Sequence, residues 1–557
     1  MRHVNSTSRR RSSWAGCALV CLAFALAPDS VAAKSPAGLV VDTELGTVRG
    51  VERHGVIEFR GIPYAAAPVG ELRWQAPQPA ARWTGIRDAS RFGSACPQLH
   101  RFNLTDESLD EDCLTLNVST PKPASGIRSP PRPVMVWIHG GAFVGGSSNL
   151  YRLDALARAG TVVVSINYRL GVLGFMPHPA FAADDNGAYG LLDQRAALAW
   201  VKANIRTFGG DPSNVTVAGE SAGGGSICMH MAVPEAVTGL FQKAVVISAG
   251  CLQPMPTVAQ ASADVGVKVA NAVGCSDAAT ALECMRHAPL KALLDAGDAI
   301  SRTRIMTFSP TIGSRIVPRQ AGDAMREGDF LRVPTLMGGA RDELRLYIGY
   351  DEQAGRHITP ENYAERLAYY YGPLGVKVVV RYPLAAGASP PASVGSVLSD
   401  YNPFVGINNC LYLETSTALS RHTSVHEFEF SDPGALVVGV GIAPPDPGFP
   451  LGAVHSAVLN YLFPHMSNTS RIDAPDLPAQ SQQLSRRMVA LWTSFMATGT
   501  PRAPSVPAWP TFAGAATVMR LEPHRTELFD AATAHRCGFW QSLFPDALQA
   551  FNAPATR

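Results

Sequence analysis

Short apolar runs alternate along this chain with stretches whose apolar positions recur at helical spacing. Residues 134–138 are a continuous apolar run and 161–166 is rich in Val and Ile, the pattern of strands buried on both faces. Residues 215–218, 244–248 and 334–337 repeat it, and 425–430 alternates. Between them, 191–205 and 484–496 carry helical periodicity without an internal Gly or Pro. Strand and helix in this rhythm predict an α/β fold with a large, mostly parallel central sheet and helices on both faces. The Pro- and Gly-rich stretches 121–133 and 433–450 are expected to be long loops. No internal repeat or low-complexity tract interrupts the pattern.

Composition narrows the functional classes. The chain has 557 residues, 46% hydrophobic and 17% charged, which excludes a disordered, coiled-coil or collagen-like protein. Length alone suggests three or four domains. The net charge of +2 comes from the first 33 residues, which hold four Arg and one Asp. The near-neutral remainder offers no bulk charge for nucleic acid or anionic lipid. Those first 33 residues have a basic start at Arg9–Arg11, an apolar stretch from Ala15 and small residues at Val31, Ala32 and Ala33. They are expected to be a cleaved signal peptide, through either the general secretory or the twin-arginine route. No later stretch reaches 18 apolar residues, so no stable membrane insertion is expected. Localisation is read as secreted or periplasmic. In that oxidising setting the close pairs Cys96/Cys113 and Cys275/Cys284 read as loop staples. There is no Cys-x-x-Cys, and neither a metal nor a cofactor is expected.

Two Gly-rich segments follow predicted strands. Gly219-Glu220-Ser221-Ala222-Gly223 succeeds the 215–218 run and precedes an apolar helix start. A Ser between glycines at a strand-to-helix turn is exposed above the sheet edge, next to a helix N-terminus that favours developing negative charge. A plain Gly-rich turn closing a βα unit is the other reading. His139-Gly140-Gly141-Ala142-Phe143 follows the 134–138 strand, where amide donors for an oxyanion belong in an α/β-hydrolase. An acid and then a His should follow the Ser in the chain. Asp342 and Glu343 close a strand and cannot be separated on sequence grounds. His455 lies in a loop between the last clear strand and the last long helix. That is a better place for a mobile imidazole than His426 inside a strand, or His357 and His422 in polar stretches.

Further stretches carry a resemblance. They are Phe59-Arg60-Gly61-Ile62-Pro63-Tyr64-Ala65, Glu111-Asp112-Cys113-Leu114-Thr115-Leu116-Asn117, Asn167-Tyr168-Arg169, Phe208-Gly209-Gly210-Asp211-Pro212 and Trp509-Pro510-x-Phe512. With the two Gly-rich segments, the chain resembles the type-B carboxylesterases, the cholinesterase-like branch of the α/β-hydrolases, over about residues 38–545. The resemblance implies one catalytic domain, 34–557, acting on a small-molecule ester with no nucleic-acid partner. It implies Ser221, Glu343 and His455 as catalytic triad, with the amides of Gly141, Ala142 and Ala222 as oxyanion hole. It further implies Ser248 as support for acid and base, and ion pairs Arg60–Glu111 and Arg169–Asp193. It matches the Cys96–Cys113 and Cys275–Cys284 disulfides and adds Cys410–Cys537, leaving Cys228 and Cys251 unpaired. Met306 and Phe308 are candidates for the acyl pocket, with a plain core role as the alternative.

The chain also departs from the family. Ala142 replaces a third Gly. Val458 stands where many relatives have a Glu, removing one polar support near His455. The Cys96–Cys113 loop has no Trp, so binding of a quaternary ammonium by cation–π contact is not supported. The segment 400–410 is longer than in relatives. Ester hydrolysis through an acyl-enzyme is the resulting expectation. A lipase or sterol-esterase activity on long-chain esters is the near alternative, and a non-catalytic binding protein on the same scaffold the remote one.

Overall fold

The computed structural model describes residues 38–549, except 101–104, 123–129, 303–305, 437–445, 470–471 and 474. The leader expected at 1–33 and the middle of both predicted long loops lie outside the described residues.

The described residues build an eleven-stranded mixed sheet. In chain order its strands are β1 (Val51–Arg53), β2 (Val56–Pro63), β3 (Thr115–Pro121), β4 (Arg132–Ile138), β5 (Val162–Ile166), β6 (Gly210–Glu220), β7 (Lys243–Ile247), β8 (Thr335–Ala340), β9 (Val425–Phe430), β10 (Val518–Leu521) and β11 (Thr526–Phe529). The spatial order is β11-β10-β9-β8-β7-β6-β4-β5-β3-β2-β1. From β10 to β5 every neighbouring pair is parallel; β3, β2, β1 and β11 run antiparallel at the two edges.

The continuous apolar runs are explained by burial on both faces. In β4, Val134, Val136 and Ile138 join one apolar cluster, while Met135 and Trp137 join the other. The first cluster includes Leu191, Leu198 and Val201 of helix α1 (Tyr189–Asn204); the second includes Leu484, Met488, Leu491 and Phe495 of helix α4 (Ala479–Thr498). Both helices sit where their periodicity predicted. Between them in sequence are α2 (Ala222–Met231) and α3 (Asn409–Ser420).

Parallel register brings the C-terminal ends of the central strands together. Ile138 of β4 pairs with Gly219 of β6, and Ile247 of β7 lies level with both Glu220 of β6 and Gly338 of β8. The segments leaving these ends therefore share one edge of the sheet, the usual location of a site in an open α/β sheet.

Four disulfides join Cys96–Cys113, Cys228–Cys251, Cys275–Cys284 and Cys410–Cys537. The second corrects the scheme that left Cys228 and Cys251 unpaired. Cys228 lies in α2, just beyond β6, and Cys251 just beyond β7, so pairing of these strands sets the two thiols side by side. One ion pair is also corrected. Arg60 pairs with Glu58 at 2.6 Å, not with Glu111, which Arg73 takes through contacts of 2.7 and 2.5 Å. Arg169 and Asp193 pair at 2.7 Å, both buried. No described helix is long and apolar enough to cross a membrane.

Candidate active site

Ser221 stands in the turn between β6 and α2 with φ 56° and ψ −123°, a backbone state that L-residues rarely adopt. Three contacts hold it there. Its N–H donates to the Ile247 carbonyl of β7 at 2.9 Å, and its carbonyl accepts from Gly225 N–H at 2.8 Å. The third is a close approach: a Cβ on Gly223 would fall 2.0 Å from the Ile138 carbonyl oxygen. Glycine at that position lets α2 start directly against the end of β4.

His455 lies in the loop after the second Gly- and Pro-rich stretch and is 4% exposed. Its Nε2 is 2.9 Å from Ser221 Oγ and its Nδ1 2.7 Å from Glu343 Oε2. A carboxylate can only accept, so Nδ1 carries the proton and Nε2 accepts from the serine hydroxyl. Glu343 is fully buried and is held through Oε1, which accepts from Ala340 N–H at 2.8 Å and from the Tyr412 hydroxyl at 3.0 Å. Asp342 faces elsewhere. It binds Arg341 at 2.7 Å and Arg345 at 3.3 Å and accepts from Ala453 N–H at 3.1 Å, bracing the loop that carries His455.

A second carboxylate flanks the imidazole. Glu220 Oε1 lies 3.3 Å from His455 Nε2 and accepts from Ser456 Oγ at 2.6 Å. Burial raises the Glu220 carboxyl above its usual range, against the opposing pull of His455 and Ser456. Burial alone would lower His455; the charges of Glu220 and Glu343 outweigh it and raise the imidazole.

The loop 139–145 lies beside the serine. Gly141 has φ 112°, Ala142 φ 52° and Phe143 φ 61°. Among the described residues, the amides of Gly141 and Ala142 donate to no protein acceptor. The Ala222 amide, at the first turn of α2, has no intrahelical partner. The loop is braced from outside, with Gln98 bonded to both the N–H and the carbonyl of Gly146 at 2.8 and 2.9 Å. Phe143 O accepts from Gly171 N–H at 2.7 Å. His139 is a structural group: burial pushes its imidazole down to about 4, and its ring stacks on Tyr168 at 4.4 Å.

The structure thus brings Ser221, His455 and Glu343 together, with Gly140 of the 139–145 loop packed against Ser221. Ser248 is buried; its hydroxyl makes no direct hydrogen bond to Glu343 or His455 but faces the Tyr412 hydroxyl of α3, which supplies the second contact to the acid. Sequence reasoning missed Tyr412, which is 69 residues from Glu343 and carried no local signal. It also missed Ser456, although that residue adjoins the candidate base. Phe308 lines an apolar cleft of about 40 Å³ with Leu99, Val144, Val172 and Leu294, against the 139–145 loop; Met306 does not line it.

Comparison with known proteins shows the family and the fold. The model of the Carboxylesterase family matches residues 37–540. The fumonisin B1 esterase of Sphingopyxis macrogoltabida is 33% identical over 491 residues, covering 85% of this chain and 84% of that one. The para-nitrobenzyl esterase of Bacillus subtilis is 34% identical over 487 residues, covering 85% and 92%. Among solved structures, a carboxylesterase of Geobacillus stearothermophilus superposes with a TM-score of 0.73 at 29% identity, covering 92% of this chain and all of that one. The chain belongs to the carboxylesterase family, has its α/β-hydrolase fold, and is a carboxylic ester hydrolase.

Proposed function

We propose that the protein hydrolyses its ester through an acyl-enzyme on Ser221, with His455 as general base and acid and Glu343 as the group that orients it. The observation that carries this reading is the continuous line Ser221 Oγ, His455 Nε2, His455 Nδ1, Glu343 Oε2, with contacts of 2.9 and 2.7 Å. As Ser221 Oγ attacks the ester carbonyl carbon, its proton passes to His455 Nε2. The carbonyl oxygen becomes an oxyanion facing the amides of Gly141, Ala142 and Ala222. Loss of one such donor typically costs about 2.7–4 kcal/mol of barrier. When the tetrahedral species collapses, the bond to the alcohol oxygen breaks and His455 returns the proton to it. Water then attacks the acyl carbon with the same base, releasing the acid and restoring Ser221.

The short loop closed by the Cys96–Cys113 bridge argues against the apolar lid that a long-chain enzyme would need, and so for short acyl chains. Four disulfides and the signal-like leader support export, with residues 1–33 removed and 34–557 acting as one catalytic domain. The test is hydrolysis of p-nitrophenyl esters from acetate to palmitate, with Ser221→Ala as the blank. The expected result is a preference for short chains that falls by at least about 10⁴-fold in the variant. A preference for long chains would move the reading to a lipase-like enzyme. Undiminished turnover by Ser221→Ala would overturn the nucleophile assignment.

A further inference from the structure

Glu220 is the one carboxylate near His455 that the proposed reaction does not use. Its side chain is confined. A Cβ on Gly140 would lie 2.7 Å from Glu220 Oε2, so that oxygen abuts the backbone of the 139–145 loop. The other oxygen, Oε1, accepts from Ser456 Oγ at 2.6 Å and lies 3.3 Å from His455 Nε2, which carries a proton only after Ser221 has given its own up. When Nε2 becomes protonated during the reaction, an unrestrained carboxylate beside it would close to about 2.7–2.9 Å. Here the short contact goes to the serine and the long one to the imidazole, while the imidazole keeps its 2.9 Å contact with Ser221.

The Ser456 backbone is strained, and its side chain is engaged by Glu220. Its φ is 66°, a left-handed state that a non-glycine residue rarely takes. It is 9% exposed, and its hydroxyl has its partner in Glu220. Val458, where the sequence lacks an expected polar support, is fully buried in an apolar cluster and donates nothing to the site. The hydroxyl of Ser456 therefore takes up the lone pair that Glu220 would otherwise turn towards the base.

We propose that Ser456 is a positioning residue whose hydroxyl holds Glu220 Oε1 away from His455 Nε2, keeping that nitrogen aimed at Ser221. The inference rests on the triad reading given above. With Ser456 in place, Glu220 is near enough to favour the transient imidazolium but not to capture its N–H. The proton then remains available for the departing alcohol. Without the hydroxyl, Oε1 closes on Nε2, and the Glu220/His455 pair holds one proton more tightly, whichever of the two atoms carries it. Losing the hydroxyl's stabilisation of the ionised carboxylate acts in the same direction.

The other groups around the pair do not compete for this titration. Glu343 faces the opposite ring nitrogen. His139 is held neutral by burial. The phenols of Tyr151 and Tyr168 near Glu220, Tyr347 beside His455 and Tyr412 on Glu343 are all pushed up by burial and stay protonated.

The experiment is the pH profile of kcat/KM on p-nitrophenyl acetate for the full chain and for Ser456→Ala, Ser456→Gly, Glu220→Gln and the Ser456→Ala/Glu220→Gln double variant. Glycine suits the positive φ and carries the test if the alanine variant misfolds. Both Ser456 variants are expected to move the acid limb to higher pH. On that limb they lose roughly three- to tenfold in rate; the alkaline plateau stays within about twofold on this ester, because p-nitrophenolate departs without needing the proton of His455. Glu220→Gln moves the limb down, and in its background Ser456→Ala produces no further shift. A purely structural serine would scale the rate equally at every pH. An unmoved limb in both Ser456 variants, or the same shift with and without Glu220, overturns the proposal. Ser221→Ala is run alongside: surviving turnover there defeats the triad reading itself, whereas abolished turnover with unmoved limbs defeats only the role of Ser456.

Discussion

Adjacent carboxylates at a strand end show what single residues disclose and what they hide. Asp342 and Glu343 are indistinguishable as sequence, because either could follow the turn. The fold sends them opposite ways, Glu343 onto His455 and Asp342 onto two arginines and the Ala453 amide. Their substitutions should therefore differ in kind. Glu343→Gln removes the charge that orients and stabilises the imidazolium and should lower kcat by about 10³- to 10⁴-fold. Asp342→Asn should leave kcat within about tenfold while destabilising the fold by about 1–3 kcal/mol, since Arg341 and Arg345 lose a buried partner. Steady-state kinetics and chemical denaturation on both variants check this; equal losses of kcat would refute the division of roles. Ser221 stands out in the sequence because flanking glycines mark a strand-to-helix turn, whereas His455 is one loop histidine among several and is assigned by the family resemblance. Tyr412 and Ser456 were not legible, because their roles depend on what faces them across the fold.

The central strands were readable because both of their faces are buried, which leaves an uninterrupted apolar run such as 134–138. The edge strands β1 and β11 are short and only partly buried, and β10 beside β11 is only four residues long, so their patterns did not announce them. The junction between β6 and α2 is where element packing meets chemistry. Gly223 touches the end of β4, whereas the nearest atom to a Cβ on Gly225, two residues on in the same helix, would be Phe143 Cζ at 3.7 Å. Gly223→Ala must push α2 from the strand that leads into the 139–145 loop. The expected cost is about 1–3 kcal/mol in stability and a loss of activity of about 10²-fold or more. Gly225→Ala should be neutral or stabilise the helix by up to about 1 kcal/mol, with activity retained. Thermal melts and ester assays on the pair decide it, and a tolerant Gly223→Ala would contradict the packing argument.

Strand order joins segments far apart in the chain, and periodicity does not report it. That is why the Cys228–Cys251 bridge escaped the sequence, and why Glu111 was paired with the wrong one of two arginines only thirteen residues apart. The same long-range assembly creates a buried ion cluster where the C-terminal segment meets the sheet, next to the Cys410–Cys537 bridge. His535 lies between Asp400, at 2.7 Å, and Glu429. Burial opposes its charge, but the Glu429 carboxylate and the hydrogen bonds to Asp400 and Glu429 win and raise it to about 10. An unfolded imidazole titrates near 6.5. Because the folded value is the higher one, the stability His535 contributes is complete below about pH 6.5 and disappears as pH rises through about 10. Glu427 in the neighbouring strand position is raised to about 8 by burial, so its own pH dependence ends near there. Between pH 8.5 and 10 the fall in stability should therefore belong largely to His535. His535→Gln should flatten it in denaturant titrations, and an unchanged slope would refute the assignment.

The account turns on one covalent event. The direct measurement is labelling of the purified protein with a p-nitrophenyl phosphonate ester, followed by peptide mass mapping. A single adduct on the peptide containing Ser221, absent from Ser221→Ala and slowed by at least about 10³-fold in His455→Ala, is the predicted result. An adduct on another residue, or no adduct from a protein that still turns over p-nitrophenyl acetate, would contradict it.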